Sequence, residues 1–549
     1  MILKKNIDTL KLNKYNINTI KKIESINNND SYEIKFNKNN LISVSYKNKA
    51  LTSLYAPMEE AKRLIEQYIK NNNSDYIAIF LSVASFYHID YFLSLNTKNK
   101  AVIIEKDIEL LKLILSNIEI KNADRIIILS EENDVLFFFN NFIREDNVKK
   151  LVVIRHIRAS NVSEENKSYY DNITIQLSNI IKERLMSLTS NYYFAPIWAR
   201  NIIYNMHSNY SSNNYSIESF KNYLNKHTPL LLVSAGASID NYIEKIKELS
   251  ETHFVLAVSH SLNTLLNNNI KPNAVVSTDG GFYSLIHILS LFKEENILLF
   301  TTHTSYPINS IKKERKFFFS HNESLEKILY NTQNNIYFPM EGSVIMPALR
   351  IAEFLNPRYI LLAGCDFCHV DDKSHSKYSN AIALDFITSD KINTFEAKKY
   401  KRLNDDNKIK CFDDCLRNTS SSLLSYKTHF ESLVADLSKN IDFFTLTKES
   451  AKINNVNIYD DIKNSDKQLK DYKCVEEKQN KELLKNKLEL LIKAINSNNF
   501  NNSDNFDIDE ILNMISPWHR DAFMEGKIKY DELKDYINKW YNDVYDLID

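Results

Sequence analysis

The stretch GCDFCHVDDKSHSKY (364–378) sets Asp366, His369, Asp371, Asp372 and His375 just past the apolar run RYILLA. A neutral imidazole with an ordinary pKa of about 6.5 can take a proton from a hydroxyl at physiological pH, so His375 is a candidate general base. The same residues would also make an ordinary solvated loop or contribute to a metal site. Cys365-x-x-Cys368 with Cys411-x-x-x-Cys415 faintly resembles a four-cysteine zinc site. The second spacing is loose, and buried thiols acting as small apolar residues are the simpler reading, so no metal is assigned.

Three other motifs could carry related chemistry. SAGAS (234–238) joins the apolar run PLLLV to a helical pattern, so backbone N–H groups at Gly236, Ala237 and Ser238 could receive a phosphate or carboxylate. The pattern is neither GxGxxG nor a Walker loop, and a tight strand-to-helix turn would read the same. In STDGG, Asp279 and Gly280 end another apolar run. The carboxylate could hold a ribose hydroxyl, a substrate amine or a metal, or cap the turn before the glycines. MEGSV (340–344) opens a helix, where Gly342 and Ser343 offer a second anion site and Glu341 a second acid/base group. An ordinary helix start is the alternative.

Glycine links these motifs. The chain of 549 residues has only six, and five lie between Gly236 and Gly364, at the ends of apolar runs. Glycine serves where the backbone takes positive φ or another group comes close. In an open α/β sheet the ligand crevice lies at the carboxyl ends of the strands. The glycines therefore mark the expected crevice.

The elements that would position these residues can be read from hydrophobic periodicity. Strand runs (YEIKFN, LISVSY), a helix MEEAKRLIEQYIK, and then YIAIFL, AVIIEKD, RIIILS and LVVIRH alternating with helical patterns predict a parallel α/β domain up to about residue 160. The turn Ser82–Ser85 occupies a nucleotide-binding position yet has no glycine, which points to a structural or degenerate site. Residues 161–227 are polar and mostly helical, with Trp198, Asn201 and Asn205 on one helical face. PLLLVSA, the amphipathic helix SIDNYIEKIKELS with Ser238 as its N-cap and Asp240 in its first turn, HFVLAVS and NAVVSTD predict a βαβαβ unit. ILLFTTH, FFFSHN, RYILLAG and IDFFTLT continue the strands, 405–430 reads as loop and helix, and the chain beyond about 465 is charged and helical. The expected fold class is α/β, with domains at 1–195 (N-terminal α/β), 196–455 (central, Rossmann-like, catalytic) and 456–549 (helical).

Composition bounds the function classes. Lys plus Arg (69) nearly balances Asp plus Glu (70), so no basic field points to nucleic acid. No signal-peptide pattern and no run of 18 uncharged apolar residues is present, and five cysteines make no disulfide framework, so a cytoplasmic setting is expected.

Several segments together resemble the motility accessory factor (Maf) glycosyltransferases: LYAPMEEAKRLIE, FYHIDYF, WARNIIYN, LLLVSAGASIDNYIEKIKEL, IKPNAVVSTD, EGSVIMPALRIAEFL, ILLAGCDFCHVDDKSHSKY and FFTLTKESA. They follow the family's order over roughly residues 50–455. The chain departs at SAGAS-Ile239 (family SAGPSL), LSVAS (a glycine-rich turn), AGCDFC (VGQDLA) and Thr447–Ala451, where TKESA replaces TEGGA. The family's central domain is similar to bacterial sialyltransferases (GT-A-like) and to an MptE-like 6-hydroxymethylpterin pyrophosphokinase. The resemblance implies transfer of a nonulosonic acid, pseudaminic- or legionaminic-like, from a CMP-sugar donor to Ser or Thr of flagellin, as flagellar assembly and motility require. It places Gly236, Ala237 and Ser238 at the nucleotide, Gly342 and Ser343 at the phosphate or sugar carboxylate, Asp366 beside the sugar, and Asp279 with Gly280 at the crevice edge. His375, then Glu341, would act as base. No cofactor is required, and a divalent cation (Mg²⁺ or Mn²⁺) is compatible with the scheme. A pterin pyrophosphokinase-like enzyme using ATP and a non-catalytic flagellin-binding chaperone are the alternatives. The helical C-terminal region is expected to dock the acceptor protein.

Overall fold

The computed structural model describes residues 2–26, 31–70, 74–144, 147–207, 214–308, 311–321, 326, 336–339, 342–403, 407–460, 462, 467–476, 481–496, 512, 515–524 and 527–545. The chain forms two compact units, Met1–Asn191 and Tyr192–Asp549. The long helix Glu164–His207 contains the division between them.

The N-terminal unit holds a four-stranded parallel sheet in the order Ile126–Leu129, Lys100–Ile104, Ile77–Leu81, Leu151–Arg155. Its strands are apolar runs because helices cover both faces, as a parallel sheet requires. Two helices unforeseen in the sequence, Ile2–Leu10 and Ile17–Ser25, precede the antiparallel strands Tyr32–Phe36, Ile42–Tyr46 and Lys49–Ala50. After the Ile77–Leu81 strand, Ser82, Ala84 and Phe86 all take positive φ without being glycine. The buried Glu105 carboxylate accepts the Ser82 Oγ and the Val83 N–H, both at 2.8 Å, and the Asp107 N–H and Tyr170 hydroxyl, both at 3.0 Å. Donors that would face an anion at this turn are thus taken by the chain's own acid.

The second unit is built on a nine-stranded sheet, parallel throughout. Its spatial order is Val456–Ile458, Phe443–Thr445, Ile360–Ala363, Leu230–Val233, Phe254–Val258, Ala274–Ser277, Leu298–Thr302, Lys316–Phe319, Tyr215–Ser216. Alternate side chains divide between two cores, Leu230, Leu232, Leu256 and Leu362 on one face and Leu231, Val233, Val255 and Leu361 on the other. From Leu230–Val233 the chain moves outward one way through four further strands, then returns to lay Ile360–Ala363 on the opposite side. That reversal is the topological switch point, where open α/β sheets carry their ligand crevice.

Several sequence expectations are corrected. SIDNYIEKIKELS is not one helix: a 3-10 turn, Ala237–Asn241, precedes the helix Ile243–Thr252, and Gly236 stands at the N-cap position. Residues 405–430 include a hairpin, Lys408–Lys410 with Leu416–Asn418, before the helix Ser421–Leu437. Helices Asn380–Ile387 and Phe395–Leu403 were not foreseen. Beyond residue 456 the described residues include helices Lys481–Asn496, Pro517–Met524 and Tyr530–Tyr545. Leu488, Leu533, Ile537, Trp540 and Val544 from this region pack with Ala199, Ile202 and Ile203 of the long helix.

Candidate active site at the switch point

SAGAS and GCDF emerge from neighbouring strands at the switch point and interlock there. Gly364, at φ +70°, turns its strand end so that its carbonyl accepts the Gly236 N–H at 3.0 Å. A Cβ on Gly236 would collide with the Asp366 carboxylate and the Gly364 carbonyl. Gly236 has no left-handed φ, being extended at −61°, 152°. Close approach is therefore why it is glycine.

Asp366 is only 4 % exposed. Its carboxylate accepts the Ser238 N–H at 2.9 Å, the Ser238 Oγ, and the Ser450 Oγ at 2.8 Å. Burial raises its pKa, and the Ser238 and Ser450 donors offset part of that rise. Ser450 stands where the family pattern has glycine, and Thr447 Oγ1 lies 2.6 Å from its hydroxyl. The sequence reading offered the Ser238 N–H to a bound anion. In the structure that N–H holds Asp366, and Ser238 is fully buried. Ser238 does not act as a helix N-cap. Asp240 receives the Lys377 N–H at 3.0 Å and so holds the His375 loop.

That loop is fixed twice more. The Ser376 N–H donates to the Ala235 carbonyl at 3.0 Å, and its Oγ lies 2.7 Å from Thr264 Oγ1. His375 is half-buried, with Nδ1 2.9 Å from Ser374 Oγ. Asp371 and Asp372, at φ 50° and 57°, are the two exposed central residues of a tight turn closed by Val370 and Lys373. Turn geometry accounts for both of them.

The structure adds two histidines that the motifs did not flag. His260 follows the Phe254–Val258 strand by two residues, and His287 lies in the helix Ser284–Ile288 beyond Ala274–Ser277. Their rings stack at 3.7 Å between centroids, and the His375 ring lies 6.4 Å from His260. Burial pulls both His260 and His287 down to about 4, with the neighbouring imidazole acting in the same direction and Asp279 opposing it at His287. Both rings are therefore neutral at physiological pH. His287 Nδ1 is buried without a hydrogen-bond partner. His260 had one sequence signal, its place just past an apolar run; His287, ten residues beyond Ser277, had none.

Asp279 is exposed, and its Oδ1 accepts the Gly281 N–H at 2.9 Å, the turn-capping contact. Gly280 sits under Trp198, where a Cβ would come 2.8 Å from Cδ1. Asn201 Nδ2 donates to the Gly280 and Thr304 carbonyls at 3.0 and 2.9 Å, and Asn205 Nδ2 to those of His303 and Ser305 at 2.9 and 2.8 Å. The helical face of Trp198, Asn201 and Asn205 thus fastens the loops beyond two strands. Gly342 (φ +76°) and Ser343 precede the helix Ile345–Phe354, and the Ser343 carbonyl accepts the Met346 N–H at 3.1 Å. Glu341 lies outside the described residues. Cys368 and Cys411 are buried free thiols with their sulfurs 3.8 Å apart, while Cys415 is exposed. Among the described residues no three His, Cys, Asp or Glu side chains are placed to hold a metal ion.

A parallel sheet whose strand order reverses between Leu230–Val233 and Ile360–Ala363 defines an open, Rossmann-like α/β fold as the class. Residues 200–372 match the family model described as 6-hydroxymethylpterin diphosphokinase MptE-like. The whole chain superposes on a Maf glycosyltransferase from Magnetospirillum magneticum AMB-1, covering 100% of this chain and 94% of that one, with a TM-score of 0.58 and 12% identity. No curated protein matches by sequence. The Maf resemblance read from the motifs is borne out, and the chain has the Maf fold.

Proposed function

We propose that this protein is a glycosyltransferase that moves a nonulosonic acid from its CMP donor to a Ser or Thr hydroxyl of flagellin in the cytoplasm. The observation that carries the proposal is the meeting of His375, His260 and His287 beside the switch point of a Maf fold. In the reaction the acceptor oxygen bonds to the anomeric carbon as the bond from that carbon to the phosphate oxygen breaks. CMP leaves with the electron pair, and His375 takes the hydroxyl proton. Because His260 and His287 are uncharged at neutral pH, His375 can accept that proton without a like charge beside it. Gly342 and Ser343 remain the proposed phosphate or carboxylate contacts, Asp279 and Gly280 the crevice edge, and Glu341 the second base. Gly236, Ala237 and Ser238 would border the nucleotide, with Asp366 holding that turn in place.

Incubating purified protein and flagellin with CMP-nonulosonates, with and without Mg²⁺ or Mn²⁺, and weighing intact flagellin tests the proposal. A mass gain of one sugar residue supports it; no gain with any donor overturns it. The MptE-like match favours one other reading, an ATP-dependent pyrophosphoryl transfer to a pterin. AMP release from ATP in the presence of a hydroxymethylpterin would select that reading.

A further inference from the structure

A groove of about 550 Å³ is lined by Asn263, Leu266, Leu289, Phe292, Lys293 and Glu294 among others. Asn263 is three residues from His260, and Leu289 two from His287. Asn263 Nδ2 donates to Asn380 Oδ1 at 2.6 Å, and Asn380 Nδ2 donates to the Ile286 carbonyl at 2.5 Å. These bonds seat the start of the helix Asn380–Ile387 against the groove wall. No residue of that helix is buried, although its sequence, NAIALDFI, is mostly apolar. Phe386 is 72 % and Ile387 76 % exposed, and Ile392 and Tyr400 beyond them are exposed as well. Phe282 and Tyr283, just past Asp279, are also exposed. Exposed apolar side chains scattered singly need no explanation, but a cluster tied to one groove marks an interaction surface.

Charge indicates what that surface takes. From Lys377 to Leu403 the chain has six Lys or Arg against three Asp or Glu, in a protein whose net charge is −1. We infer that the groove and the Asn380–Ile387 helix dock a polypeptide segment bearing apolar and acidic side chains around its acceptor hydroxyl. This deepens the transferase reading above and rests on it. Asn263 and Leu289 put the groove three and two residues along the chain from His260 and His287, so a segment lying in it would carry its hydroxyl toward the cluster. The C-terminal helices, by contrast, direct much of their apolar stripe at Ala199, Ile202 and Ile203.

The experiment uses the full chain, purified flagellin as the probe, and two double variants: Phe386→Ser with Ile387→Ser, and Lys398→Glu with Lys399→Glu. All four side chains are outside the core, so folding is expected to persist, and unchanged CMP binding in calorimetry verifies it. Flagellin affinity should fall about tenfold or more in each variant, a loss of about 1.4 kcal/mol. Unchanged flagellin affinity in both overturns the inference. It is equally overturned if the variants abolish self-association in sedimentation, or binding to phosphatidylglycerol vesicles, while leaving flagellin affinity intact. Absence of CMP binding in the parent protein would instead count against the transferase reading, while flagellin affinity still reports on the groove.

Discussion

The Asp366 carboxylate holds the Ser238 backbone N–H at 2.9 Å and also accepts the Ser238 hydroxyl, joining residues 128 positions apart across the switch point. The contact is buried, and Ser450 supplies a third donor at 2.8 Å. Asp366→Ala removes the acceptor and strands the buried Ser238 N–H and hydroxyl, while Ser450 keeps Thr447 Oγ1 beside it. Each buried donor so stranded costs about 1–3 kcal/mol, so a large loss of stability is expected. Urea unfolding of parent and variant checks it; a midpoint shift equal to that of a surface Asp→Ala control would show that the network contributes nothing.

Gly236→Ala tests the same turn from the other side. The added methyl collides with the Asp366 carboxylate and the Gly364 carbonyl, one of them backbone that cannot move aside cheaply. Overpacking of this kind costs about 1–3 kcal/mol. Gly281→Ala is the control, since its Cβ would meet only Asp279 Oδ1, at 3.5 Å. The expected result is a lowered melting temperature for the first and little change for the second.

The N-terminal unit should weaken in mild acid. His88 and His156 are buried, with ring centroids 5.4 Å apart, and burial lowers both pKa values, to about 4 for His156. The unfolded chain binds these protons at about pH 6.5, before the folded chain does. Their stabilisation is therefore complete above about pH 6.5 and is lost as pH falls toward about 4. Glu105 works the other way. Burial raises its pKa to about 7, so its contribution is fully present below the unfolded value and fades as pH rises through 7. Two histidines against one glutamate leave a net loss on acidification. His156→Phe should flatten the dependence of urea midpoint on pH between 6.5 and 5, and an unchanged slope would contradict the assignment.

Much of the fold was legible because strands buried on both faces are written as uninterrupted apolar runs. Leu230–Val233, Phe254–Val258, Ala274–Ser277 and Ile360–Ala363 are all fully buried and all were read from the sequence. Tyr215–Ser216, at the sheet edge, is too short to leave a pattern. The site was less legible for a physical reason. Motifs mark strand ends, but a loop's sequence does not say which other loops it meets. Asp366 and Ser238 were both singled out, yet nothing in either motif indicated that they satisfy each other. His260 and His287 lie in unremarkable short helical segments and become candidates only because the sheet order brings those segments beside the His375 loop.

The remaining prediction concerns that trio. His375 is half-buried, whereas His287 is buried. His375→Ala should leave folding and CMP binding intact, because Ser376 and Asp240 hold the loop through bonds of their own. Loss of a general base costs about 10²–10⁴-fold in rate, so transfer to flagellin should fall by that factor while the KM for the CMP donor holds. His287→Phe keeps an aromatic ring against His260 but removes the unpartnered Nδ1. If His287 only packs, the variant transfers sugar at the parental rate. If its nitrogen positions His260 and through it His375, kcat falls and its pH profile shifts, with melting temperature unchanged. A full rate in His375→Ala would remove that residue from the chemistry and leave His260 as the imidazole to test next.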